Sequence, residues 1–259
     1  IGREDFGRLS QFDALFLRET TRVNHHTYKF SRRATAEGLV VIDDPDSILK
    51  CTNKVFLAEL LERHRIAIPK TLIAHRGNQT QVLESIGLPC ILKQPDSSFS
   101  QGVVKVNTGE QFKDELGKLL QKSDLVIAQE FMPTDFDWRI GIFDRKLLYA
   151  CKYFMVKKHW QILKRNETGK SLEGNAETFP VEDVPLAVCQ TALKAANLIG
   201  NGFYGVDLKQ VGKKIYVIEI NDNPSIDAGV EDRILKDDLY REIMQTIMER
   251  VELKKGKKA

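Results

Sequence analysis

The stretch that decides the fold lies near the C-terminal end: Gly205-Val206-Asp207-Leu208-Lys209-Gln210-Val211-Gly212-Lys213-Lys214-Ile215-Tyr216-Val217-Ile218-Glu219-Ile220-Asn221-Asp222-Asn223-Pro224. Two apolar-rich runs flank Gly212-Lys213-Lys214, the signature of a β-hairpin. With those residues as the loop, Val211 pairs with Ile215 and Asp207 falls opposite Glu219. Side chains alternate along a strand, so Glu219 and Asn221 share one face while Ile218 and Ile220 point the other way. Like charges facing each other destabilise a hairpin unless something positive lies between them. Asp207, Glu219 and Asn221 offer only hard oxygen ligands, which suit Mg²⁺, and an incomplete set suits a metal that also holds phosphates. A solvated hairpin with an acidic face is the alternative. Val206, Leu208, Ile218 and Ile220 favour a buried strand pair, and with it the metal.

Outside the hairpin, composition narrows the classes. The chain has 259 residues, 42% hydrophobic and 29% charged, with a net charge of +3. That suits a globular protein with a substantial core, and the charge is too small to argue for nucleic acid. No apolar run approaches the ~20 residues of a membrane span, and no signal peptide is visible. Cys51, Cys90, Cys151 and Cys189 are far apart, without metal spacing, so free thiols in a reducing cytoplasm are expected. The chain opens at Ile1, not Met, and an upstream segment is expected.

The order of elements follows from periodicity and punctuation. Phe12 to Leu17, a polar helix over Asn24 to Glu37, and Leu39 to Ile42 read as strand–helix–strand, part of an α/β unit. Thr52 or Asn53 caps a helix reaching about His64. Strands follow at Thr71 to Ala74, Cys90 to Lys93, Val103 to Val106 and Leu125 to Glu130, with helices over Thr80 to Ile86 and Thr108 to Gln121. Trp138 to Phe143 and Leu147 to Met155 form another strand pair. Lys164 to Glu177 lacks an apolar pattern and reads as an exposed loop. Helices are expected over Val184 to Ile199 and Asp232 to Val251, the latter with a Leu235, Leu239, Ile243, Ile247 and Val251 stripe.

Several groups carry chemistry. The small polar loop Gln94 to Gly102, with Ser97, Ser98 and Ser100, can bring backbone N–H groups and hydroxyls to phosphate oxygens, and Lys93 precedes it. No Walker Gly-Lys-Ser/Thr element occurs. Lys54 starts a helix. Gln129-Glu130-Phe131-Met132 ends a strand where its backbone can read an adenine edge. Asp137-x-Arg139 can hold a ribose hydroxyl and an anion, or be a surface ion pair worth little. Lys157-Lys158-His159-Trp160-Gln161 packs cations, imidazole and an aromatic into one segment, or is an exposed edge. The absence of a Gly-x-Ser-x-Gly elbow or a metalloprotease His pair argues against serine and zinc hydrolases.

Taken in order, Lys54, Lys93 with its loop to Gly102, Gln129-Glu130-Phe131, Asp137-x-Arg139, Asp207 and Glu219-x-Asn221 resemble the ATP-grasp pattern. The chain looks like the RimK-like branch of that superfamily, which includes ribosomal protein S6 glutamate ligases. The resemblance covers about Thr52 to Val251. It implies an α+β fold: residues 1–51 as the end of a pre-ATP-grasp segment, 52–131 and 132–253 as two α+β subdomains with ATP between them, and 254–259 as a disordered basic tail. It implies that Lys54 and Lys93 contact phosphates, with Ser98 and Gly102 in the loop over them. Gln129 to Met132 would bind adenine, Asp137 the ribose, and Asp207, Glu219 and Asn221 Mg²⁺, with Mn²⁺ as a substitute. Arg139 is the expected contact to the transferring phosphoryl group.

The activity implied is ATP-dependent ligation of a carboxylate to an amine through an acyl phosphate. The partners would be a carboxylate donor and an amine acceptor, such as an amino acid and a peptide or protein, in the cytoplasm, with homo-oligomerisation left open. The chain departs from the glutamate ligases at Lys157 to Ile162, where they carry Arg-Ser-Asn followed by His-Arg-Gly-Gly, which puts glutamate and S6 in doubt as substrates. Tyr153, His159 and Arg233 are the candidate substrate contacts. A regulatory ATP-binding module and a small-molecule kinase on the same fold remain as alternatives.

Overall fold

The computed structural model describes residues 1–96, 102–157, 159–165 and 171–256. After a 3-10 segment, β1 (Ala14–Phe16) and β2 (Val40–Ile42) pair in parallel, joined by α1 (His26–Ala36). This is the strand–helix–strand unit expected from the sequence. α2 (Pro45–Thr52) starts where Asp44 Oδ1 accepts from the backbone N–H groups of Asp46 and Ser47. α3 (Lys54–Arg63) is capped in the same way by Asn53, whose Oδ1 accepts from Phe56 N at 2.9 Å.

β3 (Thr71–Ala74), α4 (Gln79–Ile86), β4 (Cys90–Lys93), β5 (Val103–Val106), α5 (Gly109–Leu120) and β6 (Val126–Glu130) follow. The four strands form an antiparallel sheet in the order β3-β6-β4-β5. Strand alternation sorts its faces. Cys90, Leu92, Val126 and Ala128 pack with Val82, Phe112 and Leu116 of the helices. Ile91, Lys93, Ile127 and Gln129 are left on the other face.

The rest of the chain builds a second antiparallel sheet. β7 (Phe136–Phe143) and β8 (Lys146–Phe154) form a hairpin, and β9 (Leu163–Arg165) pairs with β10 (Ser171–Glu173). β11 (Ala176–Phe179), α6 (Leu186–Ile199), β12 (Phe203–Val211), β13 (Lys214–Asp222) and α7 (Asp237–Gly256) complete it. The sheet order is β11-β8-β7-β12-β13. α6 packs Val188, Ala192 and Ala196 against Ile140, Val206, Leu208 and Ile220 on one face. α7 packs Leu239, Ile243 and Ile247 near Phe143, Tyr149, Cys151 and Phe203 on the other.

Four sequence expectations are corrected. The hairpin loop is two residues, not three: Val211 pairs with Lys214 and Gln210 with Ile215. A bulge at Ile218 then shifts the register by one, and Asp207 pairs with Glu219 as expected. Ile218 therefore leaves the buried face, and Val217 takes it. Residues 164–177 are not a plain loop, since β9, β10 and the start of β11 lie there. Backbone pairing formed these strands without an apolar alternation to announce them. The last helix starts at Asp237, five residues late, because residues 231–236 form turns. It runs through Gly256, where a tail was expected: Lys254 Nζ donates to Leu39 O at 3.0 Å and Lys255 pairs with Asp13 at 2.9 Å.

The N-terminal unit is fixed to the end of the second sheet. Buried Asp43 accepts from Phe203 N at 3.0 Å and Asn223 N at 2.8 Å. Arg18 donates to Asn223 Oδ1 at 2.6 Å and Pro224 O at 2.9 Å. These bonds hold the turn that follows β13, immediately beyond Asn221.

Candidate active site

The polar faces of the two sheets line a cleft that is open to solvent. One wall carries Lys93 and Gln129. The other carries Asp137, Asp207, Lys209 and Glu219. Antiparallel pairing sets the second wall: Glu219 lies beside Asp207, and Asp207 beside Arg139. Arg139 Nε and Nη2 donate to Asp207 Oδ1 and Oδ2 at 2.7 and 2.8 Å, and Asn221 Nδ2 donates to Asp207 Oδ2 at 3.1 Å. Lys54, at the start of α3, reaches Glu219 Oε1 at 2.9 Å. The hairpin acids thus face one another with cations on both sides.

Burial raises the Asp207 carboxyl above its ordinary pKa, with Arg139 opposing. Burial acts in the same direction on Glu219, but Lys54, Lys93 and Arg139 outweigh it and hold that carboxyl below the ordinary value. Lys93 donates to Gln129 Oε1 at 2.7 Å, and Gln129 Nε2 donates to Thr71 Oγ1 at 2.9 Å. Burial pushes the Lys93 ammonium down to about 8, against the pull of Glu219, and Lys54 and Lys209 add to the fall.

Farther along, Lys209 Nζ donates to Asp137 Oδ1 and Thr134 Oγ1, each at 2.6 Å. The end of β6 supplies Glu130, Phe131 and Met132 to the cleft, faced by Ile91, Val103 and Ile218. Glu130 is not an open acceptor at both oxygens, because its Oε1 takes Lys70 N at 2.8 Å. Trp160 meets Phe131 edge to face, with centroids 5.9 Å apart, and Lys105 Nζ sits 3.6 Å from the Phe131 centroid.

Of the sequence-predicted site, Lys54, Lys93, Gln129, Glu130, Phe131, Met132, Asp137, Asp207 and Glu219 line one cleft, and Arg139 and Asn221 bond to Asp207 within its wall. Ser98 and most of its loop lie outside the described residues. Gly102 closes that loop at φ +66°, its carbonyl accepting from Gln94 N at 3.1 Å. Among the described residues no hydrogen bond or ring contact joins the three substrate candidates. Tyr153 lies under Arg139, 5.0 Å from guanidinium to ring centroid, and its hydroxyl donates to buried Glu231. His159 contacts Gln161 and Trp160. Arg233 is exposed in the turns before α7. Sequence reasoning missed Lys209, Thr71 and Ile218. Lys209 had a signal, since it lies two residues from Asp207 on the same strand face.

The donor chemistry fits Mg²⁺. Among the described residues no three His, Cys, Asp or Glu side chains group as a metal site, so any ion here rests on two carboxylates and an amide. A carboxylate has about four lone-pair sites, and the bonds to Asp207 leave one on Oδ1. Asn221 spends its N–H on Asp207 and keeps its amide oxygen as an acceptor.

Comparison with known proteins places this geometry. A family model described as ATP-grasp domain matches residues 51–226. An alpha-aminoadipate–LysW ligase, LysX, of Saccharolobus solfataricus is 25% identical over 194 residues, 72% of this chain and 67% of that protein. A probable alpha-L-glutamate ligase of Vibrio vulnificus is 25% identical over 235 residues, 88% of this chain and 74% of that protein. The crystal structure of D-alanine–D-alanine ligase from Bacillus anthracis superposes with a TM-score of 0.77 at 14% identity, over 96% of this chain and 84% of that one. With two antiparallel sheets enclosing a lysine- and acid-lined cleft, and a family match over more than half its length, the chain belongs to the ATP-grasp family.

Proposed function

We propose that the protein is an ATP- and Mg²⁺-dependent carboxylate–amine ligase. The observation that carries this reading is the opposed Asp207–Glu219 pair with Asn221 beside it, bracketed by Lys54 and Arg139, across a cleft from Lys93. In this reading Lys54 and Lys93 hold phosphates, the end of β6 holds the base, and Asp137 holds the ribose. Asp207, Glu219 and Asn221 would hold the ion, which when bound neutralises charge on the phosphates. Arg139 adds fixed positive charge where the phosphoryl group moves, and costs little reorganisation because Asp207 already orients it.

The substrate carboxylate attacks the γ-phosphorus and ADP leaves. The amine then attacks the acyl carbon, inorganic phosphate leaves, and the amine proton passes to solvent or a base. Water would hydrolyse the acyl phosphate, so the amine must reach it before solvent does. The names of the relatives suggest an amino acid joined to a peptide or protein, and a cytoplasmic reaction is part of this reading. No helix among the described residues is long and apolar enough to cross a membrane. The test is phosphate release from ATP and Mg²⁺ with a panel of amino acids and amine acceptors. Release only with a productive pair, abolished by Glu219→Ala, supports a ligase. A stable phosphoester without amide would make it a kinase, and ATP binding without turnover under any pair would make it a binding module.

A further inference from the structure

Asp137 belongs to the family pattern that identified the site, but the two residues bonded to it, Lys209 and Thr134, do not. Lys209 Nζ donates to Asp137 Oδ1 at 2.6 Å, Thr134 Oγ1 donates to the same oxygen at 3.1 Å, and Lys209 Nζ also donates to Thr134 Oγ1 at 2.6 Å. The three close a small network. Among the described residues every bond to Asp137 lands on Oδ1, and Oδ2 takes none. The Lys209 and Asp137 side chains are only 13% and 15% exposed, and both line the cleft. Among the described residues the sealed side-chain atoms without a hydrogen-bond partner are His26 Nε2 and Asp222 Oδ2, so the unused Asp137 oxygen is open to the cleft and free to take a ligand. That ligand must donate, because a phosphate set against Asp137 would be repelled.

We infer that Lys209 pins Asp137 by one oxygen so that the other accepts a sugar hydroxyl, and that this pair sets the preference for ribonucleotides over deoxyribonucleotides. The inference rests on the ATP reading above and names a residue that fixes its sugar specificity. Asp137 makes the contact, and Lys209 is a positioning residue acting through it. A hydroxyl donating to a carboxylate makes a strong, charge-assisted bond, so its loss is expected to cost about ten- to a hundredfold in affinity.

The experiment is equilibrium binding to the full chain, with Mg²⁺, of ATP, 2′-deoxy-ATP, 3′-deoxy-ATP and inorganic tripolyphosphate. The readout is the ratio of ATP affinity to that of each deoxy analogue. All three nucleotides carry the same triphosphate, so a general charge effect or partial unfolding cancels. Wild type is expected to prefer ATP by about tenfold or more over at least one analogue, and Lys209→Met to bring that ratio to within about threefold of one. Lys209→Arg keeps the charge, and its fork can occupy both Asp137 oxygens, so it too is expected to lower the ratio. A Lys209→Met protein that weakens all three nucleotides by one factor, with the ratio intact, overturns the inference. So does a wild type that binds tripolyphosphate but does not distinguish the sugars, and that result leaves the phosphate site standing. A wild type that binds neither ATP nor tripolyphosphate overturns the ATP reading along with it.

Discussion

Arg139 grips Asp207 with a two-pronged bond, 2.7 and 2.8 Å, across adjacent strands of the sheet that forms one wall of the cleft. Tyr153 lies against the guanidinium, and the Arg139 side chain is largely buried, so its two-pronged bond and the ring together fix its orientation. An arginine held in this way presents its charge without reorganising during the reaction.

Replacing Arg139 by Lys keeps the charge but not the fork. Turnover by Arg139→Lys is expected to fall about a hundredfold or more, while ATP affinity changes by less than about tenfold, because Lys54 and Lys93 remain. Steady-state ADP release and calorimetric binding measure the two separately. A variant within threefold of wild-type turnover would remove Arg139 from the reacting centre.

Lys93 gives a pH signature. Burial holds its ammonium at about 8 in the free protein, so at pH 8 it is half protonated. A bound triphosphate favours the charged form and raises that value. ATP binding near pH 8 is therefore expected to take up a fraction of a proton, and affinity to fall as pH rises through 8. Titration calorimetry in buffers of differing ionisation heat reads the uptake directly, and Lys93→Met should abolish it. The stability sign is separate. The folded value lies below the unfolded one, so the unfolded chain binds more protons between about 8 and the ordinary lysine value of 10.5. Lys93's contribution to stability accordingly rises with pH across that window.

Much of this site was legible in the hairpin, and the parts that were not have identifiable reasons. The Asp207–Glu219 pairing was read correctly through a loop that was read wrongly: the two-residue turn and the bulge at Ile218 are two one-residue shifts that cancel. Buried Ile215, Val217 and Ile220 are spaced by two and then three, a trace of the bulge visible in sequence but easily taken for plain alternation across Ile218 and Ile220. Residues 164–177 carry no apolar period, so nothing in their sequence announces the pairing of β9 with β10 or of β11 with β8. The lysine bonded to Asp137 comes from another strand, 72 residues away, a relation that only the fold reveals.

Trp160 lies in the segment that departs from the glutamate-ligase pattern, and the structure sets it against Phe131 at the end of the cleft proposed to hold the base. Trp138, the other tryptophan, is 3% exposed and donates to Gln210. ATP should therefore quench Trp160 fluorescence and leave Trp138 unchanged, and Trp160→Phe should lose the response. Trp160→Ala is expected to weaken ATP by about 1–3 kcal/mol, the usual worth of base–aromatic stacking, while inorganic tripolyphosphate binds as before. Equal weakening of both ligands would assign Trp160 a structural role instead.

Gly205 tests how closely the turn after β13 must approach the site. It lies between Asn221 on one neighbouring strand and Gly141 on the other. A Cβ there would lie 2.7 Å from the Cβ of Pro224, a contact that real side chains do not make. Pro224 cannot retreat freely, because Arg18 holds its carbonyl and Asp43 holds Asn223 N. Gly205→Ala is expected to destabilise the protein by about 1–3 kcal/mol through overpacking, seen as a lower Tm. If instead the turn moves to make room, stability should be largely kept while the Arg18–Asn223 bond is lost. Arg18→Ala then separates the two outcomes. In an overpacked protein, removing Arg18 frees Pro224 and should recover part of the lost Tm. Where the turn has already moved, the second substitution should change Tm little.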